Sequence, residues 1–249
     1  MSKRFDICIV IPCYNESKNF LVNDYNNFII NHSNTLLCFV NDGSSDETLI
    51  ILKNFKAKYP HNVEIISYAN NCGKAEAVRK GILYCGDKFE YKFIAYVDAD
   101  LAVSLDECHS LTQYFKKDII FCFGSRINRI GSVIDRKKSR FIIGRLIATI
   151  ISQILSLKVY DTQCGCKLFT KNLSIEIFTN PFLSKWLFDV ELFFRIINKY
   201  GKDESLAKMI EIPLLKWTER GDSKVKTTYF FKLWFDLIKI RKKYKNAEN

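Results

Sequence analysis

Short apolar runs alternate with segments of helical periodicity through the first half of the chain. The apolar runs predict strands at 7–11, 36–40, 63–67, 93–97 and 119–123. Helical segments follow up to about Asn31, from Ser44, after Lys74 and after Ser104. This alternation predicts an α/β fold with a mainly parallel sheet flanked by helices, in which ligands bind at the carboxyl ends of the strands.

Two pairs of residues predict where helices begin. Ser44 with Glu47, and Ser104 with Glu107, have the spacing of a capping box, in which the serine hydroxyl binds a backbone N–H three residues later. Both pairs directly follow predicted strands, so we expect a helix to start at each of them.

The pattern changes after Ser125. A basic loop precedes a very apolar helical segment at 141–157, an irregular piece at 161–169, a helix at 189–200 and a basic, aromatic tail. The length of 249 residues is near the upper limit for one core. We expect a single domain with a nucleotide-binding half at 1–125 and a substrate-shaping half at 126–249.

The chain is basic, and much of the excess charge lies near its C-terminal end. Its 38 Lys and Arg against 27 Asp and Glu give a net charge of +11, while 48% hydrophobic residues is ordinary for a globular protein. Between 216 and 245 there are ten basic and three acidic residues, a net +7. This balance indicates an anionic partner: nucleic acid, an acidic membrane surface or a phosphorylated small molecule.

The cysteines and the N-terminal residues indicate the cellular compartment in which we expect the protein. Nine scattered cysteines without a C-x-x-C pair are typical of a reduced, intracellular protein. Asp6 interrupts the first apolar run and Pro12 ends it, so we expect a first strand and no signal peptide. The most apolar segment, 141–157, contains Arg145 and Gln153 and is too short and polar to cross a membrane.

Two segments of the second half are unusually apolar for a water-exposed surface. The first is 141–157, and the second is the aromatic stretch 229–238, which lysines and an arginine follow up to Lys245. Together they predict a monotopic protein on an anionic membrane surface, at the cytoplasmic face. The alternative is a buried core helix with a homodimer contact.

Paired carboxylates close the fourth predicted strand. Asp98 and Asp100 are two residues apart, so on a strand they would share one face and could bind one divalent cation. Such an ion could neutralise a diphosphate leaving group. The alternative is that the pair only caps the helix near Ser104.

Other strand ends carry groups suited to a nucleotide. Asp42 opens a strand-turn-helix segment whose backbone N–H groups could face a nucleotide. Tyr14, after Pro12, could offer its ring to a base, and Gly73 next to Lys74 combines close backbone approach with a cation. Each feature alone also fits an ordinary turn.

Four strand ends in the order VIPCYNE, VNDGSSD, NNCGKAEA and YVDADL resemble the family 2 glycosyltransferases with the GT-A fold, over about residues 5–126. The resemblance implies a nucleotide-sugar donor and inversion at the transferred sugar. It implies that Asp100 ligates Mg²⁺ or Mn²⁺ on the sugar diphosphate and that Asp98 lies beside the nucleotide. The residues that it places around the nucleotide are Pro12, Tyr14, Glu16, Asp42, Gly73 and Lys74.

The second half resembles one branch of that family. GSR at 124–126, DTQCGCKLF at 161–169, WLFDVEL at 186–192 and WTERGDSK at 217–224 look like the dolichyl-phosphate glucosyltransferases and polyprenyl-phosphate mannosyltransferases, with DTQCGCKLF closer to the glucosyl enzymes. This implies UDP-glucose as donor and a polyprenyl phosphate as acceptor. Ala102 stands where the mannosyl enzymes often have Gln, and eukaryotic glucosyl relatives usually have an N-terminal anchor that this sequence lacks.

The acceptor decides which residues matter most. A phosphate is already an anionic nucleophile, so Arg126, with Arg136, Arg140 or Arg145, would hold it by charge-assisted hydrogen bonds. A sugar hydroxyl would instead need a base. Asp189 or Glu191 would then take the proton. Because the two do not share a helical face, we expect only one of them to reach the site, and we favour Asp189. Lys224 could contact the diphosphate when a C-terminal loop closes.

Alternatives to this interpretation differ in donor, acceptor or class. A family 2 enzyme could use GDP-mannose or UDP-N-acetylglucosamine, or transfer to a glycan hydroxyl without needing the apolar helix and basic tail. A nucleic-acid binder would explain the net charge. We expect no nucleic-acid partner, because no recognised motif is present and paired carboxylates without a metal would repel phosphate.

Overall fold

The computed structural model describes residues 4–220 and 229–245, with the side chains of 138–140, 229–232 and 245 left out. The described residues form a seven-stranded sheet of order β3-β2-β1-β4-β7-β5-β8 and a two-stranded sheet of β6 and β9. The strands are β1 Arg4–Cys13, β2 Thr35–Asp42, β3 Val63–Tyr68, β4 Glu90–Val97, β5 Phe121–Ser125, β6 Val133–Asp135, β7 Cys166–Thr170, β8 Met209–Pro213 and β9 Lys216–Thr218.

Helices connect the strands and cover the large sheet. They are α1 Val22–Asn31, α2 Thr48–Lys58, α3 Lys74–Lys88, α4 Leu105–Ser110, α5 Lys138–Leu155, α6 Lys171–Phe178, α7 Phe188–Tyr200, α8 Lys202–Lys208 and α9 Tyr229–Lys245. A short 3-10 turn, Leu111–Tyr114, follows α4.

The sheet is buried on both faces. Along β1, Cys8 and Val10 belong to the apolar core on the side of α3, whereas Ile7, Ile9 and Ile11 belong to the core on the side of α1 and α2. This explains why β1 and β2 are continuous apolar runs. Parallel pairing of β1 with β2 and β4 brings their carboxyl ends to one edge of the sheet.

The predicted α/β class is confirmed, but the sequence pattern missed four of the nine described strands: β6, β7, β8 and β9. β7 lies within the segment that we expected to be irregular, and it pairs antiparallel with β4 and β5. Because β7 and β8 belong to the second half of the chain, the large sheet takes strands from both halves.

One of the two predicted helix starts is wrong. Ser104 accepts a hydrogen bond from the Glu107 N–H at 3.1 Å, as a capping box requires. At Ser44, however, the hydroxyl accepts the Asn15 N–H at 3.0 Å, and α2 begins only at Thr48. A contact with another loop has therefore replaced the local cap.

The apolar segments of the second half are only partly covered. In α5, Ile151 and Leu155 are buried, whereas Ile142 and Leu146 are 67% and 65% exposed. In α9, Phe235 is 74% exposed. No helix within the described ranges is long and apolar enough to span a membrane.

Candidate active site

The loop after β1 lies against the loop after β2. Pro12 is within β1, and Tyr14 follows it with 41% of its surface exposed. The Glu16 N–H donates to Thr48 Oγ1 at 2.8 Å. The predicted base-binding residues therefore lie at the edge where β1 and β2 end, with the Tyr14 ring accessible.

Asp42 connects this edge to the loop after β3. It is buried at the end of β2, and its two carboxylate oxygens accept the N–H groups of Cys72 at 2.9 Å and Gly73 at 2.8 Å. Gly73 has φ 97°, a backbone conformation that favours glycine. Asp42 thus fixes the loop that presents Lys74, whether or not it also contacts a nucleotide.

Lys74 begins α3 and forms an ion pair with Asp98. The distance from Lys74 Nζ to Asp98 Oδ1 is 2.5 Å. Burial opposes the charged form of Lys74, but the charges of Asp98 and Asp189 outweigh it and raise the pKa of Lys74. The predicted nucleotide-side lysine and the predicted metal-side carboxylate are therefore in direct contact.

Asp98 and Asp100 lie in a turn and not on the strand. β4 ends at Val97, and the Leu101 N–H donates to the Asp98 carbonyl at 3.0 Å. Our premise that alternation along a strand puts both carboxylates on one face was wrong, but the turn still brings them close. Burial, and then the charge of Asp98, raise the pKa of Asp100.

This pair suits a divalent cation that completes its coordination with other oxygens. Within the described ranges, no group of three or more His, Cys, Asp or Glu side chains could hold a metal ion. Mg²⁺ in phosphate-transfer sites is usually bound by one or two carboxylates together with substrate phosphates and water. Asp98 and Asp100 fit that donor set.

Arg126 is held by a buried carboxylate. Its Nε and Nη2 donate to Asp161 Oδ2 and Oδ1 at 2.6 and 2.8 Å, and the Trp217 ring lies 5.4 Å from its Cζ. Burial disfavours the charged forms of Arg126 and Asp161, but each of the two charges stabilises the other. The pKa of Arg126 is raised and that of Asp161 is lowered to about 2. Arg126 is thus a fixed cation at the end of β5.

Two more arginines lie close to Arg126. Burial, followed by the charges of Arg126 and Arg145, lowers the pKa of Arg136. Arg145 donates from Nη1 to the Tyr160 carbonyl at 2.6 Å. Of the predicted phosphate-binding residues, Arg126 and Arg136 therefore lie together, while the Arg140 side chain is outside the described residues. Lys224 is also outside them.

Asp189 is buried beneath the site. It is 4% exposed, and Lys167 Nζ donates to its Oδ1 at 2.6 Å. The Tyr96 hydroxyl donates to the same oxygen. Burial, and then the charge of Asp189, raise the pKa of Tyr96, which keeps this phenol protonated. Asp189 is thus placed as the acceptor of a buried ion pair, and a role as a base stays a prediction.

Glu191 has a different environment from Asp189. It is fully buried and pairs with Arg195 at 2.9 Å, while the Leu183 N–H and the Tyr244 hydroxyl also donate to it, at 2.7 and 2.9 Å. These contacts join α7 to α9 and to the segment before α7. Glu191 therefore has a structural role, and the carboxylates of Asp189 and Glu191 lie in different surroundings.

Sequence reasoning assigned no role to Lys167 or Gly165, although it quoted the motif that contains both. A Cβ on Gly165 would lie 2.8 Å from Asp98 Cγ and would overlap its carboxylate. Lysine is rarely fully buried in proteins, so the residue type of Lys167 did not indicate a place inside the site. The antiparallel pairing of β7 with β4 brings this motif beside Asp98.

Comparison with known proteins agrees with this geometry. The family model described as glycosyl transferase family 2 matches residues 8–178. A dolichyl-phosphate beta-glucosyltransferase of Trichomonas vaginalis is 30% identical over 93% of this chain and 69% of its own length. The protein of that name from Saccharomyces cerevisiae is 31% identical over 96% and 75%.

Solved structures show the same fold at low identity. Mannosyl-3-phosphoglycerate synthase from Rubrobacter xylanophilus has a TM-score of 0.69 at 14% identity, covering 98% of this chain and 75% of its own. Glucosyl-3-phosphoglycerate synthase from Mycobacterium tuberculosis, in complex with Mn²⁺, UDP-glucose and glycerol 3-phosphate, has a TM-score of 0.64 at 14% identity, covering 95% and 77%.

The GT-A fold and the family match define a sugar-transferring enzyme. The chain belongs to glycosyl transferase family 2.

Proposed function

We propose that this enzyme transfers glucose from UDP-glucose to a polyprenyl phosphate of the dolichyl type, with inversion. The acceptor phosphate oxygen attacks the anomeric carbon, the bond from that carbon to the diphosphate breaks, and UDP leaves. The names of the relatives, which match most of this chain, support glucose as the transferred sugar and dolichyl phosphate as the acceptor. The 1–125 half would bind the donor, and the 126–249 half would bind the acceptor.

The cluster of Arg126, Arg136 and Arg145 carries this proposal. Their charges act on one another, and the nearby carboxylates of Asp161 and Glu211 do not balance all three. An anionic acceptor would relieve that repulsion, and guanidinium groups bind phosphate in a bidentate manner. A neutral glycan hydroxyl would gain nothing from the cluster.

The environment of Asp189 also favours a phosphate acceptor. A hydroxyl acceptor must lose a proton to a base within hydrogen-bond reach. Asp189, the favoured candidate, is buried and accepts hydrogen bonds from Lys167 and Tyr96 on one oxygen. A phosphate acceptor needs no base, so positioning and charge balance are sufficient.

Asp100 and Asp98 would hold the divalent cation, Mg²⁺ or Mn²⁺. When bound, such an ion supplies positive charge to the diphosphate leaving group. Lys74 contacts Asp98 and adds a second cation on the same side. On the nucleotide side, Pro12, Tyr14 and Glu16 would contact the base and ribose.

The membrane surface is proposed as the place of reaction, since a polyprenyl phosphate is anchored there. The exposed apolar residues of α5 and α9 form the surface that would enter the interface. The exposed basic residues Lys239, Arg241, Lys242 and Lys243 would face the anionic cytosolic leaflet. A homodimer through the same apolar surface is the competing arrangement.

The experiment is a transfer assay with Mg²⁺ or Mn²⁺ that compares UDP-glucose, GDP-mannose and UDP-N-acetylglucosamine, each with a short polyprenyl phosphate. We expect glucosyl phosphopolyprenol from UDP-glucose, at a rate at least tenfold above the other donors, which corresponds to about 1.4 kcal/mol of differential transition-state binding. Faster transfer from GDP-mannose or UDP-N-acetylglucosamine would contradict the proposed donor.

A further inference from the structure

Lys167 is a fully buried cation at the centre of the sheet. It lies in β7, is 0% exposed, and its Nζ donates to Asp189 Oδ1 at 2.6 Å and to the Cys164 carbonyl at 2.7 Å. Removing an ammonium group from water costs several kcal/mol unless it is paired and hydrogen-bonded. The role of this buried charge follows from its contacts.

Lys167 joins three parts of the active site. Asp189 belongs to α7, and the Tyr96 hydroxyl, which shares Asp189 Oδ1, belongs to β4 two residues before Asp98. Cys164 belongs to the segment whose next residue, Gly165, contacts Asp98. One ammonium group therefore fixes α7, the end of β4 and the 161–166 segment relative to one another.

The charges near Lys167 and Lys74 indicate why an apolar residue would not replace Lys167. Lys167 balances Asp189, while Asp98, Asp100 and Asp189 all act on the charge of Lys74, which is paired with Asp98. Without Lys167, Asp189 would be a buried carboxylate without its ion-pair partner, and its charge would still act on Lys74. Lys74 would then be drawn away from Asp98 and from the donor phosphates.

We propose that Lys167 is a positioning residue for glycosyl transfer, which keeps Asp189 neutralised and so leaves Lys74 and Asp98 in place for the donor diphosphate. This inference rests on the proposed function. Lys167 does not contact a substrate, because it is fully buried, and it acts through Asp189 and the 161–166 segment.

The chain offers a matched control on the same helix. Arg195 is a buried cation paired with Glu191 at 2.9 Å, and both residues lie on α7. Its other hydrogen bonds go to the carbonyls of Ile177, Asn180 and Pro181 and to the Tyr244 hydroxyl, away from Asp98. Lys167→Met and Arg195→Met therefore both break a buried ion pair, but only Lys167→Met breaks one beneath the site.

The test measures thermal unfolding, UDP binding with Mn²⁺ by calorimetry, and kcat and KM for UDP-glucose in wild type and both variants. We expect both variants to lose stability. Per folded molecule, kcat should fall at least 30-fold in Lys167→Met and less than threefold in Arg195→Met. The Kd for UDP with Mn²⁺ should rise at least threefold in Lys167→Met alone, because Lys74 and Asp98 would no longer be in place for the diphosphate. Lys167→Gln, which keeps a hydrogen-bond donor but no charge, should lower kcat at least tenfold.

Different results separate the two proposals. A wild-type enzyme that binds UDP but does not transfer glucose contradicts the proposed function. A wild-type enzyme that transfers glucose, with kcat per folded molecule unchanged in Lys167→Met or Lys167→Gln, overturns the positioning role. Failure of both Lys167 variants to fold, while Arg195→Met folds, also overturns it, because Lys167 would then serve the fold alone.

Discussion

Gly165 lies directly against Asp98. A Cβ at Gly165 would be 2.8 Å from Asp98 Cγ and would overlap the carboxylate, so this position has no room for a side chain. The backbone of the 161–166 segment therefore forms one wall of the site beside Asp98. Through that contact the second half of the chain shapes the donor side.

Gly165→Ala should displace Asp98 and weaken metal-dependent turnover. We expect kcat/KM for UDP-glucose to fall at least tenfold, since overpacking costs about 1–3 kcal/mol where neighbours must move. Turnover should be measured over a range of Mn²⁺ concentrations. Gly86→Ala, on α3, is the control, because its Cβ would meet the Ile175 side chain at 3.2 Å and the Tyr91 hydroxyl at 3.6 Å, both away from Asp98. Equal activity of the two variants would refute the importance of this contact.

Arg136→Ala should weaken acceptor binding and leave donor binding unchanged. One charge-assisted hydrogen bond to phosphate is worth about 1.5–3 kcal/mol, so we expect the KM for polyprenyl phosphate to rise at least tenfold. The KM for UDP-glucose should stay within twofold. Arg129→Ala removes an exposed arginine from the same stretch of chain and serves as the control. A rise in donor KM instead would place Arg136 on the donor side.

The Arg126–Asp161 pair should make stability depend on pH in the acid range. The pKa of Asp161 is lowered from 3.8 to about 2, so its contribution is complete above about pH 4 and is lost as the pH falls towards 2. The shift corresponds to about 2 kcal/mol. Urea unfolding between these pH values should show this loss in wild type.

Asp161→Asn is the variant that tests this assignment. It leaves Arg126 unpaired, so we expect the free energy of unfolding at neutral pH to fall by about 3 kcal/mol. The loss of stability as the pH falls from about 4 towards 2 should be smaller in this variant than in wild type, by the contribution of Asp161. Asp106→Asn, whose side chain is 68% exposed, should change neither quantity by more than about 0.5 kcal/mol. An unchanged acid dependence in Asp161→Asn would contradict the assignment.

The sequence predicted the part of the fold that depends on local pattern. The apolar runs of β1 and β2 are buried on both faces, so their hydrophobicity marked them directly. Among the missed strands, β7 follows polar and glycine residues, and it is defined by antiparallel pairing with β4 and β5, which no local pattern records. Ser44 likewise had the spacing of a cap, but its hydroxyl binds Asn15 on another loop.

The sequence offered candidate residues for the site but not their contacts. The strand-end motifs singled out Asp42, Lys74, Asp98 and Asp100, whose roles stay predictions, and the structure brings Lys74 and Asp98 together. The burial of Lys167 against Asp189, 22 residues away in sequence, depends on how β7 and α7 pack. A lysine between apolar residues predicts a solvent-facing charge until that packing is known.

Exposed apolar residues on α5 and α9 should mediate binding to anionic vesicles. Ile142→Asp with Phe235→Asp introduces charges where the apolar surface would enter the interface, so we expect co-flotation to fall at least fivefold, as about 1 kcal/mol implies. Ile50→Asp, on α2, is the control at a similarly exposed isoleucine. Retained flotation with loss of a dimer in sedimentation would favour the homodimer instead.

The most direct test of the account replaces the acceptor phosphate. UDP-glucose, Mn²⁺ and the enzyme are incubated with a short polyprenyl phosphate or with the corresponding polyprenol, and transfer is followed by release of UDP and by mass of the lipid product. We expect glucosylation of the phosphate only, with the Arg136→Ala variant impaired. Glucosylation of the free alcohol at a comparable rate would contradict an anionic nucleophile and would make Asp189 the base to examine.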